Sequence, residues 1–539
     1  MMVARRLRTF VLEVWHCFVL FMFHTLKFLW HQGSRDGRRK LPPITDRILT
    51  YSGVQIASLI RKQVVTSEEV VRVFIARIQE VNPYVNAVVS ERFEQALEEA
   101  RRADELVRNS TSSQLAKEKP LLGVPITTKE SNSVEGQCSD IGSMIHKGER
   151  APQDAVCIRM LRSAGAIPLC VTNVPEMTMW IESANLLYGR TNNPYDLHRT
   201  AGGSSGGEGA LVASAASVIG LGSDTCGSIR FPAAWCGVFG HKPTPDVVDI
   251  QGLLPESAPG LVPYICVGPL TRYAEDLSPV MRLLARDPSK LQLDTPVDVS
   301  RLTVYYMDDE GASYISSVRS DMRYSVRKVV SHLAATHGCD IQEIRTGSDQ
   351  RLFANSFNYF FAKAESSGVP PLRFTFKMPP KGINPKREFA LKVAGLSYHT
   401  LPAIRMSWID KRYRKKRHAA RRRNDLNRLD ELETILNTAL ADNGVLIFPA
   451  MLSAAPFHHA TQLHPHGFWS LVAPYTLLKM PVTICPIGLN NEGIPLSVGV
   501  AARSFNDRLT LAIARDLEKA FGGWRPPCAM EVFDDIPAS

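Results

Sequence analysis

"GSDTCGSIRFPAAWCGVFGHKPT", residues 222–244, follows the apolar run Val218 to Leu221 and sets Thr225-Cys226-Gly227-Ser228 in front of Ile229-Arg230 and a proline. An apolar run ending in Gly-Ser-Asp reads as a buried strand entering a tight loop of small residues. The consecutive backbone N–H groups from Thr225 to Ser228 form a nest able to hold an oxyanion, and the Ser228 hydroxyl can then attack a carbonyl. A Gly-Ser loop on its own is most often a turn. Whether Ser228 is a nucleophile depends on what the rest of the chain supplies.

Two further stretches supply it. "LLGVPITTKESNS" (121–133) is an apolar strand ending in Lys129. A lysine buried at a strand end is desolvated, its ammonium form is disfavoured, and the neutral amine can act as a base. "TAGGSSGGEGALVASAAS" (200–217) is a glycine-rich loop running into a helix of small residues, with Ser204 and Ser205 where other groups can approach closely. A hydroxyl and an amine together can relay the Ser228 proton. Rival readings fall away. The glycine loop lacks the Lys-Ser/Thr of a phosphate-binding loop. It meets the G-x-S-x-G pattern of a nucleophile elbow only by composition. His458, His459, His464 and His466 sit in a proline-containing loop with no cysteine or acid nearby and read as structural, so no metal site and no cofactor are expected.

Around these stretches the elements alternate. Helices are predicted at 92–107, 153–164, 207–216, 276–285, 318–337, 425–441 and 507–521. Strands are predicted at 122–128, 166–171, 217–222, 302–306, 445–448, 482–487 and 496–501. Another helix opens at Thr66-Ser67-Glu68-Glu69 and stops at Asn82-Pro83. The alternation predicts an α/β domain on a buried, largely parallel sheet, with no internal repeat and no break after residue 45. The 539 residues, 45% of them hydrophobic and 22% charged, can bury a large core. The ten cysteines form no C-x-x-C pairs, which argues against zinc ribbons and disulfide scaffolds.

The net charge of +10 is local. "RMSWIDKRYRKKRHAARRR" (405–423) carries nearly all of it, so one basic patch is implied and general nucleic-acid binding is not. This run closes a segment at about 370–423 that also holds "VPPLRFTFKMPPKGINP" and "LSYHTLPAIRMSWI". Apolar and aromatic residues beside dense positive charge are the composition of a membrane-contacting insertion. A second membrane element is predicted at the N-terminus. After a short basic stretch (1–9), "FVLEVWHCFVLFMFHTLKFLW" (Phe10 to Trp30) is long enough as a helix to cover about 30 Å, the thickness of a bilayer core. Glu13, His16, His24, Lys27 and His31 fall on one face of that helix. The wide apolar arc favours a spanning helix at 10–31 over one lying in the interface. A Gly/Pro/charged linker (32–44) follows.

"GVPITTKE", "GGSSGGEGAL" and "GSDTCGSIRFPAAWCGVFGHKPT", in this order, resemble the amidase signature family. "NPYVNAVV" (82–89), "VTNVPEM" (171–177), "NNPYD" (192–196) and "MPVTICPIGLN" (480–490) are weaker matches, and together the resemblance covers residues 45 to 525. Within that family, "ESANLLYGRTNNPYDLHRTAGGSSGGEGA", "LTRYAEDLSPVMRLLA" and "FNDRLTLAIARDLEKAFGGW" are most similar to the fatty-acid amide hydrolases, type two. The resemblance implies an α/β fold with a large mixed β-sheet surrounded by α-helices, an amidase domain over 45–539, and hydrolysis of long-chain fatty-acid amides. It implies a triad of Lys129, Ser204 and Ser228, an oxyanion hole of Thr225, Cys226, Gly227 and Ser228, and support from Ser205, Asp224 and Arg230. Implied partners are the lipid amide and a membrane, held through the N-terminal helix and segment 405–423, at an intracellular membrane or lipid-droplet surface. A homodimer is left open. The alternatives are an amidase or esterase for shorter or peptide amides and a non-catalytic, membrane-tethered binding protein. One position departs from the family. Cys226 stands where glycine, sometimes alanine, is usual, and activity is expected to persist with a change in rate, tolerated substrate size or sensitivity to thiol reagents.

Overall fold

The computed structural model describes residues 40–309, 317–344, 352–372, 382–462 and 465–533. The chain divides into two units, residues 1–40 and 41–539, and the elements described below belong to the second. The membrane helix predicted at 10–31 and His464 lie outside the described residues. Among the described residues no helix is long and apolar enough to cross a membrane.

Eleven strands make one sheet: β1 (Val88–Glu91), β2 (Pro125–Lys129), β3 (Ile167–Thr172), β4 (Ile219–Asp224), β5 (Phe239–Lys242), β6 (Cys266–Thr271), β7 (Thr303–Tyr306), β8 (Asp340–Glu343), β9 (Gly444–Pro449), β10 (Val482–Leu489) and β11 (Pro495–Ala502). Their order is β1-β3-β2-β4-β6-β5-β10-β11-β9-β7-β8. The sheet is mixed, which corrects the largely parallel sheet expected from alternation alone. β2 runs parallel to β3 and β4, and β7 parallel to β8 and β9. The remaining neighbours are antiparallel. The difference comes largely from β5 and β6, two strands that the alternating pattern does not reveal and that join the halves of the sheet in antiparallel steps.

Nine helices matter for the site and its surroundings: α1 (Ser67–Val85), α2 (Gly206–Ala213), α3 (Arg230–Cys236), α4 (Ser320–His337), α5 (Ser356–Ser366), α6 (Pro385–Val393), α7 (Leu401–Tyr413), α8 (Ala419–Leu440) and α9 (Asp507–Phe521). Thr66 caps α1 by accepting the Glu69 N–H at 3.1 Å. α1 does not stop at Pro83. It carries the proline in its last turn and ends at Asn86, which takes the left-handed conformation at φ 48°. α2 is buried on all sides because its small residues let it lie directly on the sheet. A Cβ at Gly207 would stand 2.6 Å from Thr172 Cβ on β3, so only glycine permits that approach.

The site is set by the parallel pair β2 and β4, registered Ile126 to Ile219 and Thr128 to Leu221. Both strands are wholly buried, and β2 ends at Lys129 while β4 runs on to Asp224. Lys129 therefore emerges beside the loop that follows Asp224. α2, whose N-terminus is the Ser204–Ser205 loop, packs against the same strands.

Candidate active site

Lys129 is the last residue of β2 and is 1% exposed. Its Nζ lies 2.7 Å from Ser204 Oγ, 2.8 Å from Ser223 Oγ and 3.2 Å from the Ser223 carbonyl. Burial pushes its pKa down to about 7, against the opposing pull of the Asp224 and Glu208 carboxylates. Near neutrality the amine therefore has a lone pair to offer a hydroxyl proton. The Gly203–Ser204 peptide is cis. The neighbouring Ser205 donates its N–H to the Ser228 carbonyl (3.1 Å) and its hydroxyl to the Ser223 carbonyl (3.4 Å), tying the two serine loops together.

Asp224 and Arg230 hold the loop between them. The two side chains are fully buried and paired at 2.9 Å. Asp224 also accepts the N–H groups of Gly227 (2.7 Å) and Ile229 (3.0 Å). Burial alone would raise the Asp224 carboxyl, but the Arg230 charge and hydrogen bonds, with Lys242 and the Gly227 N–H, hold it well below the usual carboxylate range. Arg230 reaches on to the Val472 carbonyl and Thr476 Oγ1, both at 2.7 Å. The loop is thus clamped from inside by a charged pair whose polar atoms are satisfied, the condition under which such a pair can be buried.

Lys129, Ser204, Ser228, Thr225 and Cys226 face one cavity of about 130 Å³. Gly227, expected among the oxyanion donors, is not among the lining residues, and its N–H is donated to Asp224 Oδ1. Gly227 has φ 104°, and a Cβ there would meet Phe231 Cε2 at 2.4 Å, so its glycine is required by geometry. Cys226 lies outside the left-handed region, so its side chain meets no such penalty. Burial pushes its thiol up to about 12, with Arg230 opposing and Asp224 adding. Burial of this kind disfavours the thiolate, the nucleophilic form of a cysteine.

Most of the rest of the cavity wall is apolar, with Met179, Trp180, Leu254, Phe357, Phe361, Met406 and Trp469 among its residues, and Thr178, Ser257, Asp410 and Arg414 are among its polar members. Phe357 and Trp469 stack at 4.4 Å. α7, from the segment predicted to contact membrane, contributes Met406 and the buried Asp410, whose carboxylate pairs with Arg414 at 2.7 Å. On the outer surface of the same segment Phe389, Val393, Leu396, Tyr398 and Trp408 are exposed, between 44% and 77%.

Three groups escaped the sequence reading. Ser223 bridges Lys129 and Ser131, whose hydroxyl lies 3.1 Å away. Glu208, on α2, is fully buried and accepts Thr127 and Thr172 hydroxyls at 2.6 Å each. Burial pushes it up to about 8, opposed by those hydrogen bonds and Lys129. A lone acid among small residues in "GGEGALVA" was the available signal. Glu130 is buried too, and burial together with the nearby Asp140 pushes it up to about 7. Of the loop histidines, His458 bonds the Leu197 carbonyl at 3.0 Å, and His459 faces Arg190 at 2.8 Å.

A buried near-neutral amine on one serine, with a second serine in the same apolar cavity, is equipment for acyl transfer through an activated hydroxyl. The model of the family described as Amidase matches residues 69–511, and the chain belongs to that family: it is an amidase. It is 39% identical over 502 residues to fatty-acid amide hydrolase 2 of Homo sapiens, covering 92% of this chain and 93% of that one. It is also 39% identical over 532 residues to fatty-acid amide hydrolase 2-A of Danio rerio, covering 98% and 99%. The solved structure described as fatty acid amide hydrolase superposes with a TM-score of 0.67 at 21% identity, covering 88% of this chain and 86% of that one, a likeness of fold.

Proposed function

We propose that this amidase is a membrane-associated serine hydrolase that cleaves long-chain fatty-acid amides, such as N-acylethanolamines and primary fatty amides, to fatty acid and amine. The observation that carries the reading is the 2.7 Å contact of Lys129 Nζ with Ser204 Oγ beside Ser228 in one apolar cavity. Neutral Lys129 takes the Ser204 proton while Ser204 takes that of Ser228. Ser228 Oγ attacks the amide carbonyl, and the N–H groups of Thr225, Cys226 and Ser228 receive the oxyanion. As the C–N bond breaks, Ser204 passes a proton to the amine and recovers one from Lys129. Water then hydrolyses the acyl ester and restores Ser228.

The lipid assignment draws on the apolar walls and on the names of the two relatives. The membrane assignment draws on the apolar Phe10–Trp30 segment and on the exposed aromatics of α6 and α7 beside Lys411, Arg412 and Lys415–Arg417. Turnover measured over a series of acyl-amide chain lengths tests the substrate class. Rates should climb towards long chains, and a flat or short-chain preference would sink the lipid reading. Flotation with anionic vesicles tests the membrane contact. Removing residues 1–32 and neutralising the basic run should release the protein; a variant still fully bound would contradict it.

A further inference from the structure

α4 and α9 pack on the half of the sheet that carries β9 and β11, burying Val326, Val329, Leu333, Leu509, Ile513 and Leu517 in one cluster. Where these two helices meet the surface, two imidazoles converge on one carboxylate. His332 Nε2 lies 2.9 Å from one oxygen of Asp516, and His337 Nε2 lies 2.7 Å from the other. The three side chains are 20%, 25% and 16% exposed, accessible to a solute yet held by packed helices. None of them belongs to the catalytic cavity.

Two imidazole nitrogens and a carboxylate, with ligand atoms all within 4.8 Å of one another, are the donor set of a zinc site with an open fourth position. In a tetrahedral site with bonds of about 2.0–2.1 Å, ligand atoms stand about 3.3 Å apart. The two present nitrogen–oxygen contacts, 2.9 and 2.7 Å, would lengthen by about half an ångström in such a site. His332 is already oriented for it. Its Nδ1 lies 3.1 Å from Thr336 Oγ1, so an Nδ1–H has an acceptor and Nε2 is left for a metal. The present hydrogen bonds to Asp516 hold the same three groups together without an ion. Binding replaces the two Nε2 protons, and neutral imidazole accommodates this by moving its proton to Nδ1. The groove beside His337 and Asp516 is also lined by Arg508, Arg515 and Lys519. That charge disfavours a cation attracted by field alone, such as calcium, and leaves one held by coordination.

We propose that His332, His337 and Asp516 bind one zinc ion that clasps α4 to α9, with water as the fourth ligand. Zinc uptake by the full-length protein is measured by competition with a chromogenic chelator, and cobalt(II) is used as a spectroscopic stand-in. The wild type should take up one equivalent through this site and show the intense d–d absorption of four-coordinate cobalt. His332→Ala, His337→Ala and Asp516→Asn should each weaken zinc at least about tenfold and abolish that absorption. Thr336→Val should weaken it about ten- to a hundredfold. All four should keep wild-type amide hydrolysis, which reports that they fold. Absence of zinc uptake, or uptake unchanged in the three ligand variants, would overturn the proposal. So would uptake lost only in Cys138→Ser, since that places the ion among the buried Glu130, Cys138 and Asp140.

Discussion

Lys129 Nζ stands 2.7 Å from Ser204 Oγ, and the burial that makes the contact possible also brings the amine to neutrality near pH 7. The position of the lysine and its chemistry therefore have one cause, the wholly buried β2.

The pH profile should report that cause. Only the neutral amine accepts a proton, so kcat should rise through an apparent pKa of about 7 and level off above it. Lys129→Ala should remove that limb and lower kcat by roughly 10²–10⁴-fold, the range of a lost general base. Steady-state kinetics across the limb, with circular dichroism to confirm folding, check both. A wild-type limb unmoved in Lys129→Ala would assign it to another group.

Glu208 provides a stability test of opposite chemistry. Its folded pKa, raised from 4.5 to about 8, means that the stability it contributes is fully present below 4.5 and is lost as pH rises through about 8. Glu208→Gln keeps the shape and cannot ionise. Its Tm relative to wild type should therefore climb between those values and become constant above them. A thermal-melt series in pH measures this, and a difference independent of pH would show that Glu208 does not titrate in this window.

The three stretches proposed to be catalytic were legible because each pairs an apolar run with an unusual polar end: Lys129 at the end of β2, Ser204 before α2, Asp224 to Ser228 at and beyond the end of β4. What stayed hidden has physical reasons. β5, "FGHK", and β6, "CVGPLT", hold glycine, proline or charge inside wholly buried strands, so neither shows an apolar strand pattern. β1 and β8 are sheet edges with largely partly exposed or exposed residues. Ser223 reads as one more small residue until the fold brings it 94 positions back to Lys129. The direction of the Gly227 N–H depends on Asp224, a contact that no spacing rule reveals.

Neighbouring loop positions should respond oppositely. Cys226→Gly changes a residue in an ordinary backbone conformation, and its kcat should stay within about threefold of wild type. Gly227→Ala places a Cβ 2.4 Å from Phe231 at φ 104° and should cost about 1–3 kcal/mol of stability together with most activity. Denaturant unfolding and kinetics on both variants check this pair. A large gain in turnover for Cys226→Gly would instead show that the cysteine narrows the site.

The most direct measurement is the site of covalent attachment. Wild-type protein is treated with a long-chain fluorophosphonate, digested, and the adduct located by tandem mass spectrometry. The label should fall on Ser228, disappear in Ser228→Ala, and form more slowly in Lys129→Ala, whose Ser204 has lost its base. A label on another residue, or one that persists in Ser228→Ala, would contradict the assignment of Ser228 as the nucleophile.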